Sequence, residues 1–373
     1  MKIVIAPDSF KGSATSSEIS EWLKNGISSG ISQVELFNSE IIKVAIADGG
    51  EGSLDSVLSA GFISHTFSVT GPVGNRVDAR IGIKGDTALV ELAEASGLSQ
   101  LPEKKLSPLL ATSFGTGELI LRALDLGAKR VILAVGGSAC TDAGAGALQA
   151  LGGHLLDTEG NEIALGGAAL AHVNKIDLTN LDSRLVNTEF ILASDVDNAL
   201  LGPKGAAAIY APQKGATASD VALLEAALMN FADVAGTSHV TTAGSGAAGG
   251  FGFMAYTFLN ASHQSGIDTF IKLTEFESHC IGADFVITGE GMYDSQSLRG
   301  KAPVGIYSVA SSHNVPVVLV CGQAKLNSSV DNAPKFREIY SLASFESDIN
   351  KCISNPRPIV EKIGKVIAQE LLK

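Results

Sequence analysis

The sequence predicts an α/β protein of two domains: a parallel-sheet domain built from both ends of the chain, interrupted by an inserted α/β domain with a mixed sheet. Three observations carry this. At 373 residues the chain exceeds what one core usually organises. Strand, glycine loop and helix alternate at both ends, the pattern of βαβ units and parallel sheets. Between them the pattern changes: residues 76–84 alternate, Gly85-Asp86 is a turn and residues 87–92 return, which reads as an antiparallel hairpin. The expected discontinuous domain therefore comprises residues 1–70 and 284–373, and the insert residues 71–283.

Taken in order, residues 2–6 are β-branched and form a strand, and the loop Pro7-Asp-Ser-Phe-Lys-Gly-Ser13 follows. A helix is expected from Ser16 to Gly30, because Thr15 and Glu18 make a capping box and Ile19, Trp22, Leu23 and Ile27 recur at helical spacing. Asp8, Ser9 and Lys11 thus lie at the carboxyl end of a strand, where open α/β sheets bind ligands; a solvated ion pair is the other reading. Residues 41–47 are a second strand, ending in Asp48-Gly-Gly-Glu-Gly52. Carboxylates interleaved with glycines suit Mg²⁺ or a substrate hydroxyl, or make an ordinary turn.

In the middle of the chain, Thr112 to Glu118 is a glycine-rich helix start, and the strand 130–135 enters Gly136-Gly-Ser-Ala-Cys-Thr-Asp142. Gly136, Gly137 and Ser138 are candidates for an anion nest, with Asp142 as helix cap or ligand. The strand 190–194 runs into Asp195-Val-Asp-Asn198, with Lys214 further on. A carboxylate at a strand end is a candidate general base or a turn former, and Asp195 and Asp197 face opposite ways if the strand persists. Gly244-Ser-Gly-Ala-Ala-Gly249 fits G-x-G-x-x-G, but the residues before it make a poor strand; close helix packing explains it better than a dinucleotide site.

Near the other end, residues 285–288 are a buried strand that Gly289-Glu-Gly291 is expected to end, and Pro303 opens a helix to Ser312. Strand, glycine loop and helix start have the geometry of an anion site, with Lys301 adding a point charge; an ordinary strand-to-helix turn with solvated charges is the other reading. Glu290 and Asp294 are then best explained by a Mg²⁺ between them and the phosphate. Residues 315–321 and 338–342 are further strands, and residues 358–372 a terminal amphipathic helix.

Composition excludes other classes. A net charge of −12 with no basic stripe argues against nucleic acid as main partner. No apolar run approaches the ~20 residues of a membrane span, and the start of the chain enters a strand rather than a signal peptide. A cytoplasmic protein is expected. The four cysteines are far apart and the seven histidines lack ligand spacing, so neither a disulfide framework nor a zinc site is indicated.

Nine blocks in order resemble the bacterial glycerate kinase family, the type without a Walker A loop. They are residues 6–12, 47–52, 112–118, 136–142, 193–198, 212–215, 244–250, 287–291 and 300–303. A Walker A loop is excluded, since Ala302 follows Gly300-Lys301 and Ser295 stands where the first glycine belongs. The sequence departs from the family pattern at Cys140 (Asn expected), Ala143 (Gly), Met292 (Ile) and Ser297 (Thr). The resemblance implies a Rossmann-like or flavodoxin-like parallel-sheet domain, a site in the interdomain cleft, and ATP- and Mg²⁺-dependent phosphorylation of D-glycerate, with 2-phospho-D-glycerate favoured over the 3-isomer. It leaves monomer and homodimer open. On this reading Lys301, Gly289 and Gly291 hold phosphate, and Asp48, Glu290 or Asp294 hold Mg²⁺. Lys11 pairs with the glycerate carboxylate, Asp195 accepts the hydroxyl proton, and Asp8, Ser9, Asp197, Asn198 and Lys214 contact substrate. An NAD-dependent hydroxy-acid dehydrogenase and a non-catalytic acid-binding protein are the alternatives.

Overall fold

Alternate side chains of the strand Lys2–Pro7 are buried on opposite faces, as a central strand of a two-sided sheet requires. In the computed structural model, which describes residues 1–326 and 333–371, Ile3 and Ile5 join one apolar cluster and Val4 and Ala6 another. The sheet order is 338–341, 317–324, 285–293, 2–7, 40–43, and every pairing is parallel. The helices Ser16–Gly30 and Arg357–Leu371 cover one face; Ala302–Ser312 and Gly266–Leu273 cover the other. From the adjacent strands Lys2–Pro7 and Phe285–Tyr293 the chain winds outward in opposite directions. That makes their carboxyl ends the topological switch point, where such sheets form a crevice.

The expected helix at Ser16 is present, with both halves of its capping box. Val317–Ala324 is shifted towards the carboxyl end of the expected 315–321, and two further strands differ from expectation. Glu40–Lys43 is shorter, although Val44 still donates its N–H to Ile5 O at 2.9 Å. The other, Phe285–Tyr293, runs straight through its glycines, with Gly289 in register with Val320 and Glu290 with Cys321. Gly289 does not end the strand but permits it: a Cβ there would lie 2.4 Å from Val320 O. The terminal helix ends at Leu371, and residue 372 of the expected helix lies outside the described residues.

By internal contacts the chain divides into a first unit of Met1–Asp48, Asp55–Gly61 and the chain from Ser265 on, and a second of Gly49–Leu54 and Phe62–Gln264. Relative to the sequence boundaries, Ile63–Thr70 joins the second unit because it pairs antiparallel with Arg76–Lys84. Ser265–Ala283 joins the first, where Ile267, Ile271 and Phe276 cover the sheet. The second unit holds a mixed six-stranded sheet, 262–264, 189–193, 130–134, 87–91, 76–84, 63–70, in which the hairpin and Ile63–Thr70 supply the antiparallel part.

The glycine-rich segment 244–250 lies in this second unit and is no dinucleotide loop. It enters the helix Ala247–Leu259, and a Cβ on Gly249 would stand 2.2 Å from Cys140 O. Close backbone packing is the reason for the small residue. Beside it, Ala143 adopts φ +52°, a left-handed conformation that costs an L-residue ~1–2 kcal/mol. Ala143→Gly is therefore expected to stabilise the protein by about 1 kcal/mol, read as a higher urea midpoint; an unchanged or lower midpoint would show that the lost methyl packing outweighs the strain.

Candidate active site

Three loops at the switch point of the first unit converge on a cavity of about 310 Å³. Asp8, Ser9, Phe10, Lys11 and Ser13 come from the loop after Lys2–Pro7, and Asp48 follows the strand Glu40–Lys43. Glu290, Gly291 and Met292 come from Phe285–Tyr293, Lys301 from the start of Ala302–Ser312, and Gly322 and Gln323 from Val317–Ala324. Local bonds set this geometry. The Ser16 hydroxyl donates to Pro7 O at 2.7 Å and accepts the Ile46 N–H at 3.3 Å, so the segments carrying Asp8 and Asp48 are tied to one side chain. Phe10 and Ala14 exchange backbone bonds that tighten the loop between them, and the Asp8 N–H donates to Gly289 O at 2.8 Å.

The electrostatics follow from crowding of carboxylates under partial burial. Asp8 is 7 % exposed, and burial first, then the charge of Asp48, pushes its carboxyl up to about 8; the Ser9 N–H, donating at 2.7 Å, and Lys11 oppose the shift. Burial likewise pushes Glu290 up to about 7, against Ser297 and Lys301. The Lys11 ammonium lies 3.7 Å from Asp48, which raises its pKa. Such a site holds protons that a dissolved carboxylate would have lost, or accepts a cation in their place.

Among the described residues no three His, Cys, Asp or Glu side chains form a metal cage. Mg²⁺ at phosphoryl sites is commonly held by one or two carboxylates together with the substrate phosphates. Glu290 fits that role, since its Oε1 is buried without a hydrogen-bond partner, and Asp48 shares the cavity. Asp294 does not line the cavity: its carboxylate accepts the Gln296 N–H at 2.8 Å and shapes its own turn.

The remaining predicted residues lie in the second unit. The nest expected at Gly136, Gly137 and Ser138 is engaged from within: Gly136 donates its N–H to Gly49 O at 3.0 Å, Gly137 O accepts from Leu98, and the Ser138 hydroxyl accepts from Lys214 at 2.8 Å. Lys214 is 2 % exposed and also donates to Cys140 O; burial lowers its pKa against the pull of Cys140 and Asp142. Asp142 is a fully buried hub whose carboxylate accepts from Thr112, Ser113, Gly144 and Gly146. Asp195 and Asp197 are both exposed, because the strand Glu189–Ala193 has already ended and alternation no longer holds. Asn198 donates to Lys204 O and accepts the Tyr210 hydroxyl.

Sequence reasoning missed the part of the cavity lining formed by Ile349, Cys352 and Ile353 on the short helix Ile349–Ser354. Their i, i+3, i+4 spacing was the available signal.

The chain matches the profile of the Glycerate kinase family over residues 3–372. It is 42% identical to the glycerate kinase of Bacillus subtilis (strain 168) over 379 residues, covering 100% of this chain and 98% of that protein. It is 44% identical to the glycerate 2-kinase of Escherichia coli (strain K12) over 331 residues, covering 86% of this chain and 85% of the other. A crystal structure from Salmonella typhimurium LT2 described as glycerate kinase 2 superimposes with a TM-score of 0.83 at 37% identity, covering 100% of this chain and 98% of that one. No described helix is long and apolar enough to cross a membrane. On sequence over its whole length and on fold, the chain belongs to the glycerate kinase family, a family of phosphotransferases.

Proposed function

We propose that this protein transfers the γ-phosphoryl group of ATP to D-glycerate, giving 2-phospho-D-glycerate. The observation that carries the reading is the convergence of Asp8, Lys11, Asp48, Glu290 and Lys301 on one cavity at the switch point of a parallel sheet, in a chain of this family. The name of the Escherichia coli relative, glycerate 2-kinase, favours the 2-isomer.

Phosphoryl transfer asks for positioning and charge neutralisation rather than covalent chemistry. Lys11 is the group for the glycerate carboxylate, with Asp8 and Ser9 beside it for the hydroxyls. Lys301, standing at the N-cap of Ala302–Ser312, and the Gly291 backbone are the groups for the transferred phosphate. Asp48 and Glu290 are the carboxylates for Mg²⁺, which when bound neutralises phosphate charge. Asp195 is proposed as acceptor of the hydroxyl proton.

The test is an ADP-release assay with D-glycerate, ATP and Mg²⁺, with phosphorus NMR of the product. Turnover with a resonance coupled to the C2 proton is expected. A C3 phosphate would correct the isomer, and no turnover would overturn the reading.

A further inference from the structure

The lining of the first unit's cavity is chemically of two kinds. Asp8, Lys11, Asp48, Glu290 and Lys301 are charged; Met292, Ile349, Cys352 and Ile353 are apolar, three of them on the helix Ile349–Ser354. Its volume of about 310 Å³ falls in the range of pockets that take ligands larger than a three-carbon acid. D-Glycerate is polar on nearly every atom and has no use for an aliphatic wall. That wall is nevertheless open: Met292 is 39 % exposed, Ile349 39 % and Ile353 50 %. Large apolar side chains left uncovered in a concavity mark a surface that a ligand covers. The Ser13 hydroxyl donates to Ile353 O at 2.6 Å, so the wall is anchored to the same loop that carries Asp8 and Lys11.

We propose that the face of the helix Ile349–Ser354 presenting Ile349 and Ile353, with Met292, is the subsite for the purine base of ATP. A nucleoside triphosphate joins a flat apolar ring to a polyanion, and the cavity joins an aliphatic wall to two ammonium groups. The placement matches the general position of nucleotides at the carboxyl ends of parallel strands. It rests on the kinase reading and adds to it where the nucleotide lies. Aliphatic side chains offer no hydrogen bonds to base edges, so the subsite binds by contact area rather than by reading the base.

Calorimetric titration of the full-length protein with ATP and, separately, with inorganic tripolyphosphate, both with Mg²⁺, tests this without depending on glycerate turnover. Ile349→Ser and Ile353→Ser are each expected to weaken ATP about tenfold and leave tripolyphosphate unchanged. Both side chains are substantially exposed, so the variants fold; melting curves matching the wild type verify it, and Ile353→Ala serves as a milder replacement. Unchanged ATP affinity in both variants, equal weakening of tripolyphosphate, or a wild type that binds no ATP overturns the subsite. A wild type that binds ATP through this wall but leaves D-glycerate untouched overturns the substrate assignment instead.

Discussion

Lys301→Ala is expected to lower kcat by about 10²- to 10³-fold, the usual loss when one preorganised donor is taken from developing charge. Lys301 stands where three features coincide: the N-cap of Ala302–Ser312, the left-handed turn at Gly300, and the lining of the cavity that Asp8 and Asp48 share. The side chain is partly exposed, so the melting temperature should stay within a degree or two of the wild type's, consistent with the small cost of most surface substitutions. Lys301→Arg keeps the charge but not the compact ammonium, and should recover part of the rate. Steady-state kinetics with both substrates varied decides the matter: unchanged kcat and KM in the alanine variant remove Lys301 from the site.

The second large effect is on stability. Asp8→Asn is expected to make the protein more stable at alkaline pH while impairing catalysis. The sign follows from proton linkage. The Asp8 carboxyl titrates at about 8 in the folded protein, against 3.8 ordinarily, because it is buried beside Asp48. Between those pH values the folded protein holds a proton that the unfolded chain has released, so stability falls as pH rises through this window and levels above it. At about 1.4 kcal/mol per pKa unit the ceiling is about 6 kcal/mol, and sharing of the proton with Asp48 and Glu290 reduces what a single substitution recovers. The asparagine amide oxygen can still accept the Ser9 N–H. Thermal melts of the two proteins should coincide at pH 4 and separate progressively to pH 9, with the variant higher; parallel curves at all pH values would show that Asp8 titrates normally. The same variant, assayed beside Asp195→Asn, tests the proton acceptor. A loss of 10²-fold or more in kcat at Asp195→Asn, with a smaller one at Asp8→Asn, supports that assignment, whereas a loss of that size at Asp8→Asn with little change at Asp195→Asn moves the role into the cavity.

If both results hold, the crowding of carboxylates at the switch point is a site kept at the expense of stability, as functional sites often are. The second unit shows the contrast. Its buried carboxylate, Asp142, accepts hydrogen bonds from two hydroxyls and three backbone N–H groups, and it anchors the loops 112–118 and 136–146 to each other.

Much of this was legible in the sequence because it is local. The Thr15–Glu18 capping box, the helical stripe from Ile19 to Ile27, and the hairpin around Gly85-Asp86 each depend on residues within a few positions of one another. A charged residue just past an apolar strand, or at a glycine-rich helix start, marks a loop without reference to any partner. For that reason Asp8, Lys11, Asp48 and Lys301 could be picked out one at a time, whereas Glu290 was marked by its flanking glycines although its strand continues through it. What no local pattern contains is which loops meet. The tertiary structure alone decided that Phe285–Tyr293 lies beside Lys2–Pro7, which brings Glu290 to Asp8 and creates the switch point. It also decided that Lys214 turns inward to Ser138 and Cys140, 76 and 74 positions away, and that Ile349 and Ile353 close a cavity opened by the first strand. The physical reason is that sheet order and loop convergence are set by burying two apolar faces at once across distant segments, whereas caps, turns and periodicity are set by the backbone of the segment itself.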